Sequence, residues 1–256
     1  MSAQVVTFVN QKGGVGKTTS AVSLSAALAR RGHRVLLIDL DPQSNATSAV
    51  GVDGEESPGI YDALIEEADI SSCITRVESE GFDLVPSSRA LSGAEVELVP
   101  AMARERRLSA AIHGAMDDYE FIFIDCPPSL GLLTINALTA SHYVIIPVQC
   151  EYMALEGLTR LTETLDLVRR NLNSSLTVLG VLLTMYDVRT RLSQQVADEV
   201  REHFARTFDT VVPRAVRLSE APSHGQSIFM YEPGGRSATA YDDLAGELLE
   251  RVGVAV

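Results

Sequence analysis

Lysine is almost missing from this sequence. Of 256 residues only Lys12 and Lys17 are lysines, while arginine accounts for the other nineteen cations. A compositional drift toward arginine explains the scarcity. It does not explain why both lysines fall in one glycine-rich stretch, "VNQKGGVGKTTS", Val9 to Ser20. Long apolar runs are missing too: no segment approaches the ~20 residues that cross a bilayer. A strand-like run begins by Val5, which leaves no room for a basic region and a cleavable apolar segment, so a cytoplasmic location is expected. Cysteine is sparse. Cys73, Cys126 and Cys150 are widely spaced, odd in number and without a C-x-x-C pair, indicating neither a disulfide framework nor a zinc site. They read as buried or half-buried thiols. No repeat, low-complexity tract or Pro/Ser-rich linker divides the chain, so residues 1–256 are expected to form a single domain.

The net charge of −13 argues at first against an acidic partner. The charge is uneven, however. Residues 1–128 hold 10 Lys+Arg against 19 Asp+Glu, whereas 160–217 hold nine arginines against seven acids. A local basic patch on an acidic protein is compatible with this count.

Hydrophobic patterning alternates between two periods. Strands are predicted at Val5–Val9, Arg34–Asp39, Phe82–Val85, Phe121–Ile124, Tyr143–Pro147 and Val178–Leu183. Helices are predicted over 18–30, where Ala21, Leu24 and Leu28 share a face and Gly32 stops the run, and over 91–115, 131–140, 153–172, 192–207 and 237–251. Near-continuous Val, Ile, Leu and Phe in strands separated by helices is the pattern of an α/β fold: a doubly wound, mostly parallel sheet with helices on both faces. Ligands of such sheets bind beyond the carboxyl ends of strands.

The glycine stretch lies at such an end. A strand, then glycines, then a helix directs several backbone N–H groups and the positive end of a helix dipole at one point, which binds phosphate. Gly13, Gly14 and Gly16 admit the ligand without a Cβ in the way. Lys17 can reach β- and γ-phosphates, the Thr18 hydroxyl is placed to ligate Mg²⁺, and Thr19 could donate to the α-phosphate. The strict G-x-x-x-x-G-K-[ST] pattern fails because Gln11 stands where its first glycine belongs. What stands is K-G-G-x-G-K-T, with Val15 at x and the extra Lys12 in front. Two further strand ends are acidic. "LLIDLDPQSNATS" places Asp39 at one end and Asp41 two residues on, a pair that suits a metal site or solvated turn residues. "FIFIDCPPS" ends a hydrophobic strand in Asp125, the form of a Walker B carboxylate.

The K-G-G-x-G-K-T loop resembles the deviant Walker A box of the ParA/MinD superfamily, SIMIBI-type P-loop NTPases. "CEYMALEGL", "LLTMYDVRTRLS", "VRLSEAPSHGQSI" and "LTINALTAS" resemble the chromosomal, Soj-type ParA partition ATPases over nearly the whole chain. The resemblance implies ATP and Mg²⁺ as cofactors. It implies that Lys12 reaches across a nucleotide-sandwich homodimer to the partner's phosphates, a task suited to a compact charge on a flexible stem. In the family the D-x-D-P-Q-x-N-x-T segment is the first switch, so Asp41 positions or activates the attacking water and Asp39 supports the metal shell. Asp125 holds Mg²⁺, and Pro127–Gly131 form the second switch. Thr184-Met-Tyr-Asp187 lacks the Asn and Lys of the guanine-reading N-K-x-D, so adenine is expected, packed near Met185 and the Pro213, Arg214 and Val216 loop. Ala215 replaces the family's common Asn, leaving backbone groups to contact base or sugar.

The same resemblance implies an ATP-driven switch that binds double-stranded DNA without sequence preference, resides on the nucleoid, and is released by hydrolysis that a ParB-type partner stimulates. Arg189, Arg191 and Arg217 are the first candidates for DNA contact, with Arg160, Arg169 and Arg170 behind them. A helix arginine also serves a solvated face or an internal ion pair. No helix-turn-helix segment precedes the loop, and "YDDLAGELLERVGVAV" is too acidic for a membrane-binding helix, so no membrane partner is expected. The alternative is a MinD-like positioning ATPase acting at a membrane or cell pole.

Overall fold

The computed structural model describes residues 2–56, 58–151 and 154–254, the side chain of Glu156 excepted. Eight strands form one sheet: β1 (Gln4–Phe8), β2 (Val35–Asp39), β3 (Thr75–Val77), β4 (Phe82–Val85), β5 (Phe121–Asp125), β6 (Tyr143–Gln149), β7 (Thr177–Tyr186) and β8 (Thr207–Pro213), in the order β3-β4-β2-β5-β1-β6-β7-β8. Every pairing is parallel except β3 with β4 at one edge. The central strands are buried on both faces, which accounts for their unbroken apolar runs.

The strand period of two sorts these side chains between two cores. Val6, Phe8, Val35, Leu37, Phe121 and Phe123 face one side, where α1 (Lys17–Arg30) and α11 (Arg236–Val252) cover them. Phe8 and Phe123 meet edge to face at 5.4 Å. Their neighbours Val5, Leu36, Ile38, Ile122 and Ile124 face the other side, under α3 (Ile60–Ile65), α4 (Leu91–Leu98), α5 (Arg107–Ala111) and α6 (Leu132–Ala140). Farther along that face, α7 (Ala154–Asn171) and α8 (Arg191–His203) cover β6 and β7. The expected α/β architecture with helices on both faces is present.

The structure corrects several boundaries. The helix expected over 91–115 is broken. Pro100 has no N–H to continue α4, and Ala103 takes a left-handed conformation (φ 50°) before the chain re-enters a 3-10 turn and α5. The helix expected over 192–207 ends at His203, and Thr207 opens β8, whose Phe208 and Val212 pack under α11. Strand β7 runs on through Tyr186, so Thr184 and Met185 lie inside it rather than in a following loop. Edge strands β3 and β8 were not anticipated, being short or punctuated by charge. Short helices α2 (Asn45–Ala49), α9 (Arg217–Glu220) and α10 (Ile228–Tyr231), like α3, occupy stretches for which no helix is predicted. The predicted start of the 153–172 helix, Met153, lies outside the described residues.

Candidate nucleotide and metal site

Strand β1 sits between β5 and β6, and the glycine loop leaves its carboxyl end at the middle of the sheet. Gly14 (φ 74°) and Gly16 (φ 85°) take left-handed conformations that would strain a side chain. Gly16 is the N-cap of α1 and supplies no side-chain cap, so the first N–H groups of the helix remain directed at the loop. Neighbouring strands suspend the loop. The Asn10 amide donates to the Pro147 carbonyl at 2.7 Å and its oxygen accepts the Lys12 N–H at 3.0 Å, while the Thr184 hydroxyl donates to the Val15 carbonyl at 2.9 Å. Sequence reasoning missed Asn10 and Thr184 as anchors. Only their adjacency to motif residues hinted at them.

Beneath the loop lie the acids. Asp39 and Asp125 end adjacent parallel strands in register and are both fully buried. Their situations differ. Asp39 accepts from the Asp41 N–H (3.2 Å) and from both the N–H (2.8 Å) and hydroxyl (2.7 Å) of Thr47. Burial nevertheless pushes its pKa up to about 6, those hydrogen bonds opposing the rise. Neither oxygen of Asp125 has a hydrogen-bond partner of good geometry, although the Thr18 side chain lies close enough to moderate its shift. Burial first, and Asp39 second, raise its pKa well above the ordinary carboxylate value. An orphaned buried carboxylate beside a threonine hydroxyl fits a hard divalent cation that takes oxygen ligands. Thr18 and Asp125 would hold it. The oxygens of Asp39 are already engaged by Asp41 and Thr47.

Lys17 is buried against this group. Burial lowers its pKa, and the Asp125, Cys126 and Asp41 side chains work against that. Its ammonium donates to the Lys12 carbonyl at 3.4 Å. The three cysteines are buried free thiols, as expected. A cavity of about 480 Å³ opens over Gly13, Gly14, Lys17, Thr18 and Asp41 and is closed on the far side by Gln226–Ile228. It shares Gly16, Thr19 and Met185 with a second cavity of about 300 Å³, lined by Pro213, Arg214, Ala215 and Val216. The phosphate loop and the expected base subsite are therefore continuous. Met185 is held at φ 52°, a conformation costing of order 1 kcal/mol at a non-glycine residue.

A family model described as an AAA domain matches residues 3–178. The chain is 53% identical to the sporulation initiation inhibitor protein Soj of Bacillus subtilis, over 96% of its own length and 98% of the relative's. It is 46% identical to the chromosome partitioning protein ParA of Caulobacter vibrioides, over 97% and 94%. The chain belongs to the ParA/Soj family. Among solved structures it is similar to a Mycobacterium smegmatis protein titled cobyrinic acid a,c-diamide synthase, bound to an ATP analogue and magnesium, at 36% identity with a TM-score of 0.87 over 98% and 96% of the two chains.

Against that ParA/Soj background, the remaining candidates occupy distinct places. Lys12 is exposed and pairs with Glu151, just past β6, within the single subunit. Arg189 stands in the turn before α8, 84% exposed, its guanidinium forked onto Asp187 at 2.9 and 2.8 Å. That pairing holds the Asp187 carboxyl well below its usual range. Arg191 opens α8 and is exposed. Arg217 opens α9, pairs with Glu220 at 2.8 Å and lies over the Tyr231 ring at 5.8 Å. All three follow the carboxyl ends of β7 and β8, on the end of the sheet that carries the loop. Arg160, Arg169 and Arg170 lie instead along α7, with Arg169 paired to Asp166. Among the described residues no helix is long and apolar enough to cross a membrane.

Proposed function

We propose that this chain is an ATP-dependent partitioning switch. Mg-ATP binds the loop after β1, two subunits close face to face over their nucleotides, the closed dimer holds double-stranded DNA without sequence preference, and hydrolysis releases it. Names of relatives, Soj and ParA, support the partitioning role, and the ATP analogue and magnesium bound to a structural neighbour support the cofactors. The observation that carries the chemistry is Asp125, a fully buried carboxylate with two unpartnered oxygens at the foot of a glycine-rich loop. Bound Mg²⁺ would neutralise charge on the transferring phosphoryl group. Lys17 then binds phosphate oxygens, Thr18 and Asp125 hold the metal, Asp41 orients the attacking water, and Met185 with Pro213–Val216 packs the adenine.

Lys12 completes the site from the opposite subunit. In the single chain Glu151 neutralises it, so that pair opens when the dimer closes. Nonspecific DNA binding follows from phosphate contacts by Arg189, Arg191 and Arg217 and weakens as salt rises. A ParB-type partner presenting a basic segment stimulates turnover, and the −13 net charge suits such a partner. The protein then resides in the cytoplasm on the nucleoid, as one domain serving chromosome or plasmid segregation. A gel shift with nonspecific duplex, with and without Mg-ATP at two salt concentrations, tests this. ATP-dependent, salt-sensitive binding is expected. Binding that ignores ATP, or binding to anionic vesicles in place of DNA, overturns it.

A further inference from the structure

Ser87 is one of the most deeply buried polar residues in the protein, at 0% exposure, immediately beyond β4. Its hydroxyl donates to the carbonyl of Asp41 at 2.8 Å across 46 residues of sequence. At the other side of the same residue, the Asp41 N–H donates to Asp39. The main chain of Asp41 is therefore held at its N–H by the end of its own strand and at its carbonyl by a residue from beyond its own loop. The circuit closes: the Ser87 N–H donates to the Thr47 hydroxyl at 3.0 Å, and that hydroxyl donates to Asp39 at 2.7 Å. Four residues, Asp39, Thr47, Ser87 and Asp41, thus form one ring of hydrogen bonds around the first-switch segment.

Ser87 is a fixed point in that ring. A Cβ on Gly54 would overlap the Ser87 carbonyl oxygen, and one on Gly59 would come within 2.5 Å of the Pro86 carbonyl oxygen. Backbone is thus packed directly on backbone around 86–87. The residues that follow Asp41, Pro42 to Ser44, line a polar cavity of about 700 Å³ together with Thr47 and Ser87. The Asp41 segment also closes a turn of its own, the Ser44 N–H donating to the Asp41 carbonyl at 2.9 Å and the Gln43 N–H to the Asp41 carboxylate at 2.9 Å, and the buried Ser87 hydroxyl ties that turn to a rigid neighbour.

We infer that Ser87 is a positioning residue for hydrolysis, fixing the Asp41 main chain and so the direction of its carboxylate. The inference rests on Asp41 being the residue that orients water. The alternative is a buried serine that merely satisfies its own hydroxyl. Basal ATP turnover, Mg-ATP affinity and unfolding midpoint are measured for the full chain and for Ser87→Ala, Ser87→Thr, Asp41→Ala and the Asp41→Ala/Ser87→Ala double variant. Ser87→Ala is expected to lower kcat about 10- to 100-fold with KM for ATP unchanged, as misplacement of a reacting group does. Ser87→Thr keeps the hydroxyl and, where its unfolding midpoint matches the wild type, restores most of the rate. In the Asp41→Ala background Ser87→Ala removes nothing further. Wild-type kcat in folded Ser87→Ala, a loss confined to KM, or failure of Ser87→Thr to exceed Ser87→Ala overturns the inference. Normal turnover in Asp41→Ala instead overturns the role of Asp41 itself. If Ser87→Ala does not fold, Ser87→Cys, similar in volume but a poor donor, takes its place with the same expectations.

Discussion

Replacing Asp125 with asparagine should make the ligand-free protein more stable and at the same time abolish Mg-ATP binding. The carboxylate is fully buried and makes no well-formed hydrogen bond, so Asp125→Asn removes a charge without breaking one. Unfolded, the group ionises near its ordinary value of 3.8; folded, burial and Asp39 hold the proton to considerably higher pH. Between those two pH values the folded state carries the extra proton, so its stability falls as pH rises. Asp39, a neighbouring carboxyl with its pKa brought to about 6, sets the scale of such a cost at about 3 kcal/mol. Lys17 returns part of this, because its buried ammonium is attracted to Asp125 and loses that partner in the variant. The variant without ligand is therefore expected to melt higher than the wild type, by less than that scale. Thermal unfolding at pH 7 and pH 5, with and without Mg-ATP, reads it out. Ligand at a hundred times its Kd should stabilise the wild type by about 2.7 kcal/mol and leave the variant unmoved, closing or reversing the gap between them. The advantage of the variant should shrink at pH 5 and vanish below about pH 4. A variant that melts lower without ligand, or that responds to Mg-ATP like the wild type, refutes the assignment of Asp125.

Three more outcomes are expected. Asp41→Ala should bind Mg-ATP and remain on DNA in a filter-binding assay while single-turnover hydrolysis stalls by at least tenfold; normal turnover removes Asp41 from the chemistry. Lys12→Ala should leave nucleotide affinity of the monomer within about twofold but lower ATP-dependent dimerisation by light scattering, whereas Glu151→Gln, which releases Lys12, should raise it; unchanged dimerisation in both variants counts against the cross-subunit role. Arg189→Ala should reduce the slope of log K against log salt for nonspecific DNA by about 0.9, one phosphate contact, and Asp187→Asn should tighten binding by freeing the guanidinium. A slope that stays at the wild-type value in Arg189→Ala excludes that contact.

The order of strands and helices was legible because a strand buried on both faces must be apolar throughout, as in "VLLID" and "FIFID", and because the glycines before Lys17 permit left-handed turns at Gly14 and Gly16. The phosphate loop and the acids Asp39, Asp41 and Asp125 were legible for the same local reason: each stands directly at or after a strand end. Edge strand β8 was not, because its charged Asp209 and half-exposed pattern resemble a helix tail until Phe208 is seen under α11. Nor was the break after Leu98, which follows from Pro100 and from what α4 packs against. Local residue order thus marked the candidate site. Only the tertiary structure decided how its acids divide the work, since it takes folding to bring Thr47 and the Asp41 N–H onto Asp39, leave Asp125 bare, and carry Ser87 across 46 residues to the Asp41 carbonyl. Hydrogen-bond partners so distant in sequence leave no local periodicity, and burial, which raises the pKa of Asp39 and Asp125, belongs to the assembled core alone.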